Sequence, residues 1–208
     1  MRYENISIER LSHASFKITG TKIVYVDPYK LFGDFEKADL VIITHNHFDH
    51  CSVSDVKKIS GDKTIIVTVP DCQSKLSGVE ARSVTLVRPG DIVELFGLRI
   101  EAVPAYNLNK SFHPKENEWI GVVLTIDGVR IYHAGDTDLI PEMSSLKNID
   151  VALLPVSGTY VMTAEEAVQA VKLINPKLAI PMHYGSVVGT KSDAEKFKEQ
   201  ADCRVELI

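Results

Sequence analysis

The chain has 208 residues, 45% hydrophobic and 25% charged, a globular balance that excludes wholesale disorder and is long enough to bury a core. Its mean hydropathy is +0.01, and no apolar run approaches the roughly 18 residues that a membrane-spanning helix needs. The net charge is −5 at pH 7 with no block of like charge, which argues against a broad nucleic-acid surface. The opening Met1-Arg2-Tyr3-Glu4-Asn5 has no apolar block or cleavage site behind it, so no secretory signal is expected there. Cys51, Cys72 and Cys203 are odd in number and far apart, and read as free thiols of a reducing compartment, with the cytoplasm as the expected location.

In chain order, residues 6–8, 16–18 and Ile23–Val26 read as strands, the last two joined by the turn Thr19-Gly20-Thr21-Lys22. Leu40–Ile43 and residues 64–69 are continuous apolar runs, the pattern of strands buried on both faces. Val53–Ile59 after Ser52 reads as a helix, and 71–76 as a shorter one. Residues 91–95, 98–103, Ile120–Ile126 and 129–132 are expected strands, the last two hinged at the turn dipeptide Asp127-Gly128. A short helix is expected at 140–146 and a strand at 151–154. Thr163-Ala164-Glu165-Glu166 has capping-box spacing and opens a helix to about Ile174, closed by Asn175-Pro176. Residues 178–180 and 205–207 read as strands, with a helix at 192–200 between them.

The order repeats. A hairpin, a second apolar strand beginning Ala38-Asp39-Leu40, a helix and the strand after Asp62-Lys63 in the first half parallel a hairpin, Ile149-Asp150-Val151, a helix and the strand after Asn175-Pro176 in the second. A period near half the chain predicts two related halves with one sheet each, packed face to face with helices outside.

The segment Thr44-His45-Asn46-His47-Phe48-Asp49-His50 leaves a buried strand and precedes a helix, so its side chains stand on a rigid support open to solvent. Three of the seven histidines lie in it. Such a density of imidazole and carboxylate suits a borderline divalent metal such as zinc. His45 and His47 can face one ion while Asp49 and His50 turn toward a second.

These residues resemble the metallo-β-lactamase fold superfamily, whose signature is His-x-His-x-Asp-His after a buried strand. Tyr132-His133-Ala134-Gly135-Asp136-Thr137 is similar to the superfamily's Gly-Asp-Thr segment, and Ile180-Pro181-Met182-His183-Tyr184-Gly185 to the segment with its last histidine ligand. Leu11-Ser12-His13-Ala14-Ser15-Phe16 and Asp27-Pro28 resemble the metal-dependent hydrolase branch that includes ascorbate-phosphate lactonases and the phospholipase D acting on N-acyl phosphatidylethanolamine. The resemblance spans nearly the whole chain. It implies one α/β (α+β) domain over 1–208, a four-layer αββα sandwich of two packed mixed sheets with outer helices, internally duplicated.

It also implies two divalent ions, zinc by first expectation, with Mn2+ or Fe2+ also suited. His45 and His47 would hold the first, Asp49, His50 and His183 the second, and Asp136 would bridge. The superfamily usually gives the first ion a third histidine where this chain has Asn107, so His113, Asn107 or water completes that site. His13, Asp27, His133 and Tyr184 are expected to support ligands or touch substrate, Asp27 by orienting a ligand histidine. Tyr106 and Tyr160 join Tyr184 as candidate oxyanion donors, and Cys51 reads as a small buried residue. The implied reaction is hydrolysis of an ester-like bond, a lactone or phosphodiester of a small molecule, by metal-bound hydroxide, with Asp49 as the catalytic residue and 105–118 as a lid. Two other readings stand beside it: a nuclease of the same superfamily, which the acidic balance opposes, and a metal-dependent binding or sensor protein without turnover. Oligomeric state, a homo-oligomer included, stays open.

Overall fold

The computed structural model describes residues 1–208, which fall into two units, Met1–Arg88 and Pro89–Ile208. In the first, β1 (Arg2–Tyr3), β2 (Ile6–Ser12), β3 (Ser15–Thr19), β4 (Ile23–Val26), β5 (Leu40–Ile43), β6 (Ile65–Thr68) and β7 (Ser83–Leu86) lie side by side in chain order. Neighbours run antiparallel from β1 to β4 and parallel from β4 to β7. Every residue of β5 and β6 is buried. Successive side chains of a strand point to opposite faces, so both faces of the middle of this sheet are covered. A parallel pair needs a crossover, and α1 (Val53–Ile59) lies within the one between β5 and β6.

The second unit holds β8 (Ile92–Leu95), β9 (Leu98–Pro104), β10 (Ile120–Ile126), β11 (Val129–His133), β12 (Val151–Pro155), β13 (Leu178–Met182) and β14 (Arg204–Val205), again adjacent in order. Pairing is antiparallel from β8 to β11 and parallel from β11 to β14. β12 and β13 are buried throughout, with α2 (Ala164–Ile174) packed on β12 and α3 (Lys191–Gln200) on β13. Close approach dictates Gly121 in β10: a Cβ there would lie 2.7 Å from the Ala134 carbonyl oxygen and 2.9 Å from that of His133.

The two sheets thus repeat one pattern of seven strands and six pairings, down to a single side chain. Asp39 accepts from the Ile23 backbone N–H at 2.9 Å and Asp150 from that of Arg130 at 2.8 Å. Their carbonyls accept from Ile65 and Leu178, the first residues of β6 and β13. In both units this aspartate ties a hairpin strand to the two parallel strands beyond it.

The structure departs from the sequence expectation where side chains compete with the helix backbone. The short helices expected at 71–76 and 140–146 are single stretches of 3-10 helix, Pro70–Cys72 and Pro141–Ser145. In the second, Ser144 and Ser145 donate their hydroxyls to the carbonyls three residues back, at 2.8 and 2.6 Å, a local alternative to α-helical bonding. Ser52 holds the cap position of α1, but its hydroxyl donates to Asp55 at 2.7 Å. The capping box of Thr163 and Glu166 is fully formed. The last strand is Arg204–Val205, not 205–207, and the sequence reading did not include β1 or the exposed edge strand β7.

Candidate functional site

In the first unit the donors cluster at the end of β5. Asp27, fully buried after β4, accepts from the Thr44 backbone N–H at 2.8 Å, from the Thr44 hydroxyl at 2.7 Å, and from His50 Nδ1 at 2.7 Å. The Thr44 hydroxyl has one proton and gives it to Asp27, so it can only accept from His45 Nδ1, 3.0 Å away. His45 and His50 therefore carry their protons on Nδ1, and each presents Nε2 as a lone pair. His45 Nε2 lies 3.0 Å from His47 Nδ1. Asp49 Oδ2 lies 3.3 Å from His13 Nε2 and 3.8 Å from His50 Nε2. His13 and Asp27 both adopt positive φ, 44° and 47°, a conformation uncommon outside glycine and one that gathers at functional sites.

The second unit follows the same logic. Asp136 lies beyond β11, and its Oδ2 is 3.2 Å from His113 Nε2 and 3.1 Å from His183 Nε2. His113 Nδ1 faces Asn107 Oδ1 at 3.0 Å and the Tyr160 carbonyl at 3.2 Å, so its proton sits on Nδ1. Ser157 donates its hydroxyl to the Thr159 carbonyl at 3.3 Å and meets His183 Nδ1 at 3.0 Å, which places the His183 proton on Nδ1 as well. His183 has φ 59°. Asn107 is engaged on both sides of its amide and presents no atom of its own to Asp136; His113 does. His133 stands behind the carboxylate: its Nδ1 accepts from the Gly135 N–H at 3.2 Å and braces the turn into Asp136.

These separations have a chemical meaning. Two nitrogen or oxygen ligands held about 2.0–2.2 Å from one tetrahedral zinc lie roughly 3.3–3.6 Å apart. The pairs His45–His47, His13–Asp49, His113–Asp136 and His183–Asp136, at 3.0, 3.3, 3.2 and 3.1 Å, lie at such an edge or up to about 0.3 Å inside it. The donor set, imidazoles with buried carboxylates, fits a divalent cation.

Other expected residues lie elsewhere. The Tyr106 hydroxyl donates to Glu142 at 2.9 Å and meets Lys115 at 3.3 Å, so it is committed away from any oxyanion. Tyr160 contributes its carbonyl to His113 and its ring to Phe112, centroids 4.4 Å apart. Tyr184 is buried beside His183. The expected lid at 105–118 contains one turn of 3-10 helix, Lys115–Asn117, and buries Tyr106, Asn107 and His113, with Leu108 and Phe112 exposed. Buried Cys51 shares a hydrogen bond with Cys72, which holds its thiol below the usual range and pushes that of Cys72 up. Three functional side chains escaped the sequence reading. Thr44 was inside the quoted motif and Asp138 two residues past Asp136, while Ser157 carried no signal, being 26 residues from the His183 that it meets.

A family model described as a β-lactamase superfamily domain matches residues 7–183. A UPF0173 metal-dependent hydrolase of Thermoplasma acidophilum is 35% identical over an alignment covering 95% of this chain and 92% of that protein. Among crystal structures, a candidate metal-dependent hydrolase from Parabacteroides distasonis is 33% identical with a TM-score of 0.86, covering 97% of this chain and 92% of that one. Igni18, a metallo hydrolase from Ignicoccus hospitalis, is 25% identical with a TM-score of 0.79, covering 98% and 94%.

Proposed function

We propose, for a chain that belongs to the β-lactamase superfamily and within it to the UPF0173 metal-dependent hydrolases, that it hydrolyses an ester-like bond of a small molecule, a lactone or a phosphodiester, with the help of divalent cations. The observation that best supports this is Asp136 Oδ2, faced at 3.2 and 3.1 Å by two imidazole nitrogens whose rings hold their protons on the far side. Two imidazole nitrogens gathered on one buried carboxylate oxygen are the donor types that a divalent cation such as zinc takes.

His45, His47 and His113 would hold one ion and Asp49, His50 and His183 a second, with the Asp136 carboxylate available to both. Zinc suits this imidazole-rich set, and Mn2+ or Fe2+ suit it as well. Bound there, the ions would polarise the scissile group and bring the pKa of water toward 7. Asp49 then orients the attacking water and takes its proton, steadied by His13 at 3.3 Å. Asp27, through His50 and Thr44, keeps two rings in the tautomer that ligation needs. The three free cysteines suit a reducing compartment such as the cytoplasm.

Protein purified without chelator should carry the metal. His47→Ala and Asp136→Ala should each lose metal and hydrolysis of lactone or phosphodiester substrates together, with circular dichroism unchanged. Full turnover by either variant in metal-free form overturns the reading.

A further inference from the structure

We propose that Asp138 is a positioning residue that acts through Asn107 to hold the His113 proton on Nδ1, and so sets the affinity of His113 for its cation; the cation-binding half of this statement rests on the function proposed above. Asp138 is 2% exposed. Its Oδ1 accepts from Asn107 Nδ2 at 3.1 Å and from Lys110 Nζ at 2.5 Å, and its Oδ2 accepts from the Leu108 N–H at 2.9 Å. The second Asn107 Nδ2 proton goes to the Tyr160 carbonyl at 2.8 Å. On the other side, Asn107 Oδ1 accepts from the His113 backbone N–H at 3.0 Å and faces His113 Nδ1 at 3.0 Å. Both amide protons and both lone pairs of Asn107 are in use.

That arrangement has only one orientation. An ionised carboxylate is acceptor-only, so Asp138 dictates that the nitrogen of the Asn107 amide faces it. A flipped amide would turn its oxygen on the carboxylate and on the Tyr160 carbonyl, and its NH2 on the His113 backbone N–H. With the oxygen fixed toward His113, Nδ1 of that ring must carry a proton, and in the neutral ring Nε2 is then the lone pair, 3.2 Å from Asp136. One short segment after β11 thus supplies both the carboxylate that His113 faces and, two residues later, the carboxylate that sets its tautomer. Partners one layer behind a metal ligand are typically worth about 10–100-fold in metal affinity.

Nitrogen-15 imidazole spectra of the metal-free protein, at a pH where the ring is neutral, test the relay without any metal. The wild type should show His113 protonated on Nδ1, and an Nε2–H ring there overturns the proposal. Asp138→Asn should raise the Nε2–H fraction, and zinc affinity by chelator competition should fall about 10–100-fold. Lys110→Met, which removes only the ammonium partner, should leave the tautomer unchanged. An Asp138→Asn protein with wild-type tautomer and wild-type zinc affinity overturns the proposal; if that variant does not fold, the wild-type spectrum carries the test. Should the wild type bind no zinc, the functional reading falls, while the metal-free spectra still decide the relay.

Discussion

Asp27 is the side chain on which two rings depend at once, His50 directly and His45 through the Thr44 hydroxyl. Asp27→Ala would leave the buried Thr44 N–H and the His50 Nδ1–H without their acceptor, at about 1–3 kcal/mol each, and would free both rings to change tautomer. We expect metal affinity to drop at least about 10–100-fold, measured by chelator competition, with a lowered unfolding midpoint. Unchanged affinity would mean that neither ring owes its tautomer to this carboxylate. The same reasoning explains what was legible at this scale. His45, His47, Asp49 and His50 stand out because the motif is contiguous. The acceptors that set their protons are not contiguous with them: Asp27 is 17 residues from Thr44 and 23 from His50, and only the folded strands carry it there.

Across strands, Glu94, Arg99, Glu101 and Arg130 form a line of ion pairs over β8, β9 and β11, with Arg130 Nη1 2.6 Å from Glu101 Oε1 and Arg99 Nη1 2.9 Å from Glu94. Partial burial pushes the Glu101 carboxyl up, but the hydrogen bond and charge of Arg130, with Arg99, outweigh this and hold it below the usual carboxylate range. A carboxyl with a lowered folded-state pKa contributes stability above its unfolded value of about 4.3 and loses it as pH falls through the folded value. Glu101→Gln should therefore cost up to about 1 kcal/mol at neutral pH, and its difference from the wild type should shrink as pH falls below about 4.3 and vanish once it is below the lowered folded-state value, read by urea unfolding at several pH values. A difference that persists in acid would assign the effect to packing. Elements with strong apolar runs or caps, such as β5, β12 and α2, were evident in advance. β7 was not, because a largely exposed edge strand has its place only through pairing with β6.

For the molecule as a whole, the two sheets share strand order, strand sense and the aspartate clip, as a duplicated chain would, and two mixed seven-stranded sheets with three helices fit the metallo-β-lactamase sandwich. The proposed ligands run from His45 to His183, so the cation-binding arrangement exists only in the folded chain. Cations that bind only the native state stabilise it by mass action, by roughly 4 kcal/mol at a thousandfold excess over Kd. Chelation should lower the thermal midpoint of the wild type, and Asp136→Ala should abolish that sensitivity. Equal midpoints with and without chelator would contradict a shared metal site.

Sequence alone determined the class of molecule: buried β runs, a duplicated order of elements, and a metal-type motif at a strand end, all of which are local patterns. It put His113 first for one ligand position and left Asn107 and water open beside it. Tertiary structure shows which way the amide and the imidazole face: His113 Nε2 lies 3.2 Å from Asp136, and the Asn107 amide is turned to His113 and Asp138. That is decided by hydrogen bonds to Asp138 and the Tyr160 carbonyl, 31 and 53 residues from Asn107. No local pattern encodes the direction of a proton shared across that much chain.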